Sequence, residues 1–438
     1  MRHQLGWTDL AGRRVGVFGV GVEGRCALER LQAIDCEVVV VDDDPTAIAI
    51  GYEVVTTSPD GAALLRSCDV VIKSPGISRR RDDVMALEAA GIPVVGGVGL
   101  EIHDRGSQTI VCVTGTKGKS TTASIMGHLL KGLGATAAVT GNLGRPPFDP
   151  SVPKDLDVLI IETSSFQATD VADAPSLVVV TSLGTDHLDW HGNQEDYWSD
   201  KLSLTSLPGA KLTLAQGDDP GLVSAARLLG GTVTWSHGAA GSWAAPLGLL
   251  GEHNLRNAEL ARQALLLLKI NGAEDDNRLR DAAHGFDGLP GRLTEVGRLD
   301  GVRFIDDGLA TNVLPTLAAL RAFPEDRLAI LIGGHDRGVD YTELVDVLAS
   351  RTPPTLVIGL PESGQRLADA IAQRSATTEV TTAAAIEEAT RIAFTWARPG
   401  GTVLLSPAAP SFSQFASWKE RSAAFGAVVR ELGASGSA

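Results

Sequence analysis

The residues best suited to chemistry lie in Gly115-Thr-Lys-Gly-Lys-Ser-Thr121. Val111-Cys-Val before them reads as the end of a buried strand, and Ala123, Ile125, Met126, Leu129 and Leu130 after them mark a helix. A strand, a glycine turn and a helix N-terminus together aim backbone N–H groups and a helix dipole at an anion. Lys119 adds a point charge for the outer phosphates, and Ser120 a hydroxyl ligand for Mg²⁺. The usual pattern has a glycine where this chain has Val113, so the turn is the shorter Gly115-x-x-Gly118-Lys119-Ser120 form. The expected ligand is ATP, held by Gly115, Thr116, Lys117, Gly118, Lys119, Ser120 and Thr121.

Three further sets of residues could act with that loop. Asp157-Val-Leu-Ile-Ile-Glu162 is a buried strand with a carboxylate at its C-terminal end, where open α/β sheets place ligands. A glutamate there could simply cap the next helix, but beside an ATP loop a Mg²⁺ role is the stronger reading. Leu177-Val-Val-Val-Thr-Ser182 is followed by Asp186, His187, Asp189 and His191, donors for a second metal, with His187 the favoured ligand. Gly19-x-Gly21-x-x-Gly24 follows a strand, and Asp42 ends the next one, placed to accept from a ribose hydroxyl. That fingerprint alone leaves NAD or FAD open against another nucleotide or a nucleotide-sugar. Asn254 and Asn257, three apart at the start of a helix, could address a purine edge.

The elements that must position these groups form three α/β regions. Residues 1–106 read as a small Rossmann-like parallel unit, 107–297 as a central P-loop ATPase-type domain, and 298–438 as a second Rossmann-like domain. In the last, strands 302–305, 328–332, 355–358 and 402–405 should bring the loops after Asp306, Gly333 and Ser406 to one sheet edge, forming one pocket. Gly288-Leu-Pro-Gly-Arg292 reads as an interdomain turn suited to a hinge, and the tail after Gly433 as frayed.

A chain of 438 residues is long enough for two or three full cores. Its 38 basic and 53 acidic residues give a net charge of −15 without a long Lys/Arg run, which argues against nucleic acid as the main partner. The four cysteines sit in or beside apolar runs without CxxC spacing, as reduced core thiols of a cytosolic protein do. No signal peptide or membrane insertion is expected, because Val15–Val22 is short and broken by glycines and no apolar run approaches bilayer length. The expected location is the cytoplasm.

The three-region order, Gly-Thr-Lys-Gly-Lys-Ser-Thr, Glu162-Thr-Ser-Ser-Phe-Gln167, Asp186-His-Leu-Asp-Trp-His191 and Ser406-Pro-Ala resemble the Mur ligase family over nearly the whole chain. Within it they look like the enzymes that add glutamate to UDP-N-acetylmuramoyl-L-alanine. The resemblance implies that the first domain holds a uridine nucleotide rather than NAD, through Val22, Glu23, Asp42, Ser74, Asn142, Ser164 and Gln167. It also implies an ATP-dependent ligation through an acyl phosphate, with catalytic roles for Lys119, His187 and Lys201. Ser120 and Glu162 would hold one Mg²⁺. His187 and a carbamylated Lys201 would hold a second, since an unmodified ammonium would repel the metals. Asn254 and Asn257 match adenine-side positions, Arg292 an arginine near the phosphates, and Asp307 a carboxylate near the ATP ribose. Folylpolyglutamate synthase, a relative that also adds glutamate, lacks the N-terminal unit.

The departures fall in the loops that hold the incoming amino acid. The D-glutamate-adding enzymes usually carry Gly-Gly-x-x-Lys and Asp-Ser-Lys-Ala-Thr-Asn, whereas this chain has Gly333-Gly-His-Asp-Arg337 and Asp307-Gly-Leu-Ala-Thr311-Asn312. Arginine offers a planar fork where lysine is a point charge. With Ser406-Pro-Ala-Ala-Pro-Ser411-Phe412, the loops look like the branch that adds L-glutamate, in which a separate epimerase inverts the new residue. Thr311, Arg337, Ser411, Phe412 and Trp418 are the expected glutamate contacts, D-glutamate is the alternative substrate, and a monomer is expected.

Overall fold

A computed structural model describes residues 2–142, 144–412 and 414–433; the tail expected to fray, 434–438, lies outside them. The first sheet contains β1 (Arg14–Phe18), β2 (Glu37–Asp42), β3 (Val54–Thr56), β4 (Val70–Lys73) and β5 (Val94–Val95), parallel in the order β3-β2-β1-β4-β5. The order reverses between β1 and β4, so the turn after β1 opens on a crevice. Gly24 lets the helix Val22–Leu31 settle on that turn: a Cβ there would stand 1.8 Å from the Gly19 carbonyl oxygen.

The second sheet holds β6 (Thr109–Thr114), β7 (Ala137–Gly141), β8 (Val158–Glu162), β9 (Leu177–Val180), β10 (Leu212–Gln216) and β11 (Thr232–Ser236), parallel in the order β11-β10-β9-β6-β8-β7. Ile110 to Val113 of β6 are fully buried, which is why a central parallel strand reads as one apolar run. The loops after β6, β8 and β9 are neighbours at the C-terminal edge. These are the loops that carry Lys119, the residues after Glu162, and His187.

The third sheet holds β12 (Thr294–Leu299), β13 (Val302–Asp306), β14 (Leu328–Ile332), β15 (Thr355–Gly359), β16 (Glu379–Thr382) and β17 (Thr402–Leu405), in the order β12-β13-β17-β14-β15-β16. All pairs are parallel except β12 with β13. Those two form a hairpin closed by Asp300 (φ +51°) and Gly301 (φ +77°), both left-handed as such a two-residue turn requires. The boundary expected between 297 and 298 falls inside β12, because that strand pairs with β13 in the third sheet.

Compactness divides the chain into two units, Met1–Pro246 with Arg256–His284, and Leu247–Leu255 with Gly285–Ala438. The first two sheets thus share one unit, with a common core in which Trp7 meets Phe148 at 5.2 Å. A buried ion pair, Lys73 Nζ to Asp170 Oδ2 at 2.6 Å, joins them as well, and Asp170 Oδ1 accepts from Arg79 Nε at 2.7 Å. A carboxylate that deep is tolerable only because both of its oxygens are paired. In the second unit alternate residues of the sheet pack to opposite faces, Ile305, Ile330 and Leu404 on one and Phe304, Leu331 and Leu405 on the other. No helix among the described residues is long and apolar enough to cross a membrane.

Candidate active site

The chain leaves β6 at Thr114 and turns through Gly115 and Gly118 (φ +88°) into the helix Lys119–Gly132. Gly118 is in close contact with a neighbour: a Cβ there would stand 2.6 Å from Asn257 Oδ1. The end of β9 grips the loop from another side. Lys117 N–H donates to Ser182 Oγ at 2.8 Å, and Thr116 N–H to the Ser182 carbonyl at 2.9 Å. Lys119 Nζ curls back, donating to the carbonyls of Gly115 (2.9 Å) and Thr116 (3.2 Å). Ser120 and Thr121 are buried, while Lys117 is exposed with its Nζ 3.5 Å from Asp186 Oδ2.

A cavity of about 530 Å³ opens beside this loop within the first unit. Val22, Glu23 and Ser74 line it from the first sheet, and Asn142, Ser164 and Gln167 from the second, facing Thr116, Lys119, His187 and Lys201. Six of the seven residues expected on the nucleotide-sugar side therefore meet the expected catalytic ones. Asp42 does not line the cavity: its oxygens accept the Val20 (2.6 Å) and Asp44 (2.8 Å) N–H groups, fixing the turn after β1. Ser164 and Gln167 form a reciprocal capping pair, Gln167 N–H to Ser164 Oγ at 3.1 Å and Ser164 N–H to Gln167 Oε1 at 2.7 Å. That pair aims the Gln167 Nε2 at the Glu23 carboxylate. The other Glu23 oxygen is buried without a protein partner, and burial, opposed by the Gln167 bond, pushes the carboxyl up to about 7.

Glu162 ends β8 in register with Val113 and is 1% exposed. Its Oε1 accepts from Asn142 Nδ2 at 3.3 Å, while Oε2 is buried with no protein partner. An orphaned buried carboxylate oxygen at the end of the strand paired with the one that leads into the phosphate loop fits a hard divalent cation. Among the described residues no group of three or more His, Cys, Asp or Glu is gathered to hold a metal. The donor set suits Mg²⁺, which binds through one or two carboxylates plus substrate phosphates. His187 has a left-handed backbone (φ +50°), and its half-exposed ring lies 5.0 Å from Phe166. Lys201 is 2% exposed; its Nζ donates to the Gly115 carbonyl at 3.1 Å and lies 4.9 Å from the Tyr197 ring centre. Burial, and then the neighbouring Lys119 charge, hold its pKa well below the usual lysine value.

Sequence reasoning missed Phe166 and Tyr197 as lining residues, while Asp186, one of the candidate metal donors, also lines the cavity. Tyr197 had a signal, since it precedes Lys201 by four on the helix Gln194–Leu202 and shares its face.

In the second unit the loops after β13, β14 and β17 converge, as expected, and are knitted together. Ser406 Oγ donates to Asp307 Oδ2 at 2.7 Å; Gly333 N–H donates to Pro407 O at 2.8 Å and His335 N–H to Pro410 O at 2.9 Å. Arg421, 2% exposed, donates through Nη2 to the carbonyls of Gly308 and Ala409, each at 3.0 Å. Burial lowers its pKa to about 10, and burial pushes the Asp307 carboxyl up to about 8. Thr311 is half-buried and Ser411 buried, whereas Arg337 and Phe412 are exposed. Trp418 opens the helix Trp418–Glu431 against the backbone of Gly291, next to Arg292. Of the two asparagines, Asn257 meets the phosphate loop, while Asn254 groups with the second unit and donates to Leu250 O at 2.9 Å.

Comparison with known proteins accords with this geometry. Residues 113–239 match the Mur ligase middle domain, and 291–409 the Mur ligase, glutamate ligase domain. Residues 1–78 match the NAD binding domain of D-isomer specific 2-hydroxyacid dehydrogenases. The UDP-N-acetylmuramoyl-L-alanine–L-glutamate ligase of Salinispora tropica is 36% identical over 452 residues, covering 97% of this chain and 99% of that protein. The enzymes of that name from Micromonospora sp. and Xanthomonas euvesicatoria are 34% and 32% identical, covering 97% and 94% of this chain and 98% and 94% of those proteins. Two solved structures share the fold at 16% identity. They are the MurF ligase from Thermotoga maritima in complex with ADP (TM-score 0.57, 95% of each chain) and the UDP-N-acetylmuramate-alanine ligase MurC from the same organism (0.55, 96% of this chain and 99% of that one). The chain belongs to the Mur ligase family.

Proposed function

We propose that this chain is an ATP-dependent amide ligase of peptidoglycan precursor synthesis that joins glutamate to UDP-N-acetylmuramoyl-L-alanine, with L-glutamate preferred to D-glutamate. The observation that carries it is the meeting of Lys119, His187 and Lys201 with Glu23, Ser74, Asn142 and Gln167 in one cavity. A loop that only hydrolysed ATP would need no second ligand wall facing its lysine. The same reading gives residues 1–106 to the nucleotide-sugar, 107–297 to ATP and 298–438 to the incoming amino acid, with β12 counted in the last.

In the reaction an oxygen of the alanyl carboxylate attacks the γ-phosphorus, and the bond to ADP breaks. The amine of glutamate then adds to the acyl carbon, phosphate leaves, and the amine loses a proton. Catalysis of this kind is alignment and charge stabilisation. Lys119, already bent over the loop, turns its ammonium to the transferring phosphoryl group. Ser120 and Glu162 would hold one Mg²⁺, and His187 with Lys201 a second; the ions supply positive charge to the phosphate oxygens and the carboxylate. Lys201 suits carbamylation because burial favours its neutral amine, the form that adds to carbon dioxide.

Arg337, exposed on the loop after β14, offers a bidentate fork to a glutamate carboxylate. The preference for L-glutamate rests on the Gly333-Gly-His-Asp-Arg337 and Pro410-Ser411-Phe412 loops and on the names of the relatives. The chain would act as a monomer, and a D-configured product would then come from a separate epimerase. Phosphate release with ATP, Mg²⁺ and UDP-N-acetylmuramoyl-L-alanine, with L- and D-glutamate supplied separately, tests the reading. Turnover with L-glutamate alone is expected. Turnover with D-glutamate alone would overturn the preference, and none with either would overturn the ligase.

A further inference from the structure

One histidine of the His/Asp cluster is not needed as a ligand, yet it is the most tightly held. His191 ends the short helix Leu188–His191, and its ring is fully buried against Phe166, Trp190 and Tyr197 at centroid distances of 5.5, 4.4 and 5.1 Å. Both ring nitrogens are engaged: Nδ1 lies 2.7 Å from Asp200 Oδ2 and Nε2 2.9 Å from Ser165 Oγ. A carboxylate accepts, so Nδ1 carries the hydrogen and Nε2 accepts the Ser165 O–H. The same Asp200 oxygen accepts from Arg80 Nη1 at 2.7 Å.

The partners of this chain of bonds matter more than its geometry alone. Ser165 lies three residues after Glu162, at the start of the turn leaving β8. Asp200 immediately precedes Lys201 on the helix Gln194–Leu202. Arg80 belongs to the segment after β4 whose Ser74, Pro75 and Gly76 line the cavity, and the Gly76 carbonyl accepts from Trp190 Nε1 at 2.8 Å. A rigid ring with a fixed bond at each end is a strut of defined length, whereas a hydrophobic contact of equal area would permit sliding.

We propose that His191 is a positioning residue that fixes the spacing between the β8 end carrying Glu162 and the helix carrying Lys201, with Arg80 and Trp190 tying that spacing to the cavity loop of the first sheet. This rests on the assignment of Glu162 and Lys201 to the ATP-metal site. It predicts that loss of the strut lowers the rate and the Mg²⁺-dependent binding of nucleotide without unfolding the chain.

His191→Phe is the informative variant, because it keeps the ring packing and removes both bonds. Two readouts are taken on the full chain: kcat and KM for each substrate, and the affinity for a fluorescent ADP analogue with and without Mg²⁺. The expected result is a fall in kcat of about 10- to 100-fold, the range seen when partners behind metal ligands are lost. KM for glutamate should be unchanged and nucleotide affinity weakened only when Mg²⁺ is present. Ser165→Ala, which removes a single hydroxyl, should move both readouts the same way and serves if His191→Phe does not fold. Arg80→Ala should raise KM for the nucleotide-sugar. Wild-type kcat and Mg²⁺-dependent affinity in a folded His191→Phe or Ser165→Ala chain would overturn the proposal. A wild-type chain without ligase turnover would instead overturn the proposed function, and the nucleotide titration would still decide on the strut.

Discussion

The C-terminal edges of the second and third sheets share one kind of architecture and use it differently. At the second sheet, the loops after β6, β8 and β9 stand around an open cavity that Glu23 also lines, and two carboxylates keep bonding capacity to spare: Glu162 Oε2 and Glu23 Oε2 are buried without protein partners. At the third, the loops after β13, β14 and β17 are cross-linked by Ser406, Arg421 and main-chain bonds, and the expected ligand groups Arg337 and Phe412 lie on the outside. The first edge is built around space for a ligand. The second is a fixed platform that presents side chains. Mutations should therefore divide cleanly, with chemistry lost at the first edge, and stability or amino-acid affinity lost at the second.

The largest effect should come from Lys119→Ala, which removes the phosphoryl-facing cation and should lower phosphate release about 100- to 1000-fold with the melting temperature unchanged. Wild-type rates in that variant would remove the ATP assignment. Lys201→Ala should lose about 100-fold and recover part of it with short carboxylic acids, which restore an anionic oxygen. Full activity without added acid would exclude Lys201 from the site.

At the other edge, Arg421→Ala leaves the Gly308 and Ala409 carbonyls buried without a donor and should destabilise the fold by about 3 kcal/mol in denaturant titration. A loss of rate without loss of stability would mean that Arg421 serves the substrate and not the platform. Arg337→Ala should raise KM for glutamate about 10-fold and leave stability and KM for ATP alone.

The smallest effect is a pH dependence at the open edge. The folded chain holds Glu23 at about 7, above its ordinary value of 4.5, through burial first and Asp170 second, against Gln167 and Lys73. A raised carboxyl contributes stability at low pH that is lost as pH rises from about 4.5 through about 7. Glu23→Gln should therefore gain about 2 °C in melting temperature relative to wild type at pH 8 and nothing at pH 5. An equal shift at both pH values would mean that Glu23 is not held protonated.

Most central strands were legible because burial on both faces leaves continuous apolar runs such as Ile110–Val113, but the interior strand β10, whose run is broken by Thr213 and Gln216, was not. The edge strands β3, β11 and β16 were not, because no residue of β3 or β16 is fully buried and β11 begins with an exposed Thr232. β12 did carry a signal, the Asp300-Gly301 pair between Leu299 and Val302, which marks a two-residue hairpin. Lys119 and Glu162 could be picked out because each sits at a fixed place on its element, whereas Lys201 came only through the family resemblance. The Glu23–Gln167 contact could not, since it joins residues 144 apart. Asp42 matched a fingerprint but is occupied by backbone, and nothing in sequence separates those two uses. His191 reads in sequence as a candidate metal donor and Arg421 as a surface residue, until their partners are known.

The most direct test of the account is to follow oxygen from the acceptor substrate. With the alanyl carboxylate of UDP-N-acetylmuramoyl-L-alanine labelled with ¹⁸O, and ATP, Mg²⁺ and glutamate supplied, the released phosphate is analysed by mass spectrometry. Ligation through an acyl phosphate predicts one ¹⁸O in each phosphate formed, in step with the amide. Unlabelled phosphate would mean that water, and not the carboxylate, receives the phosphoryl group, and would contradict the account.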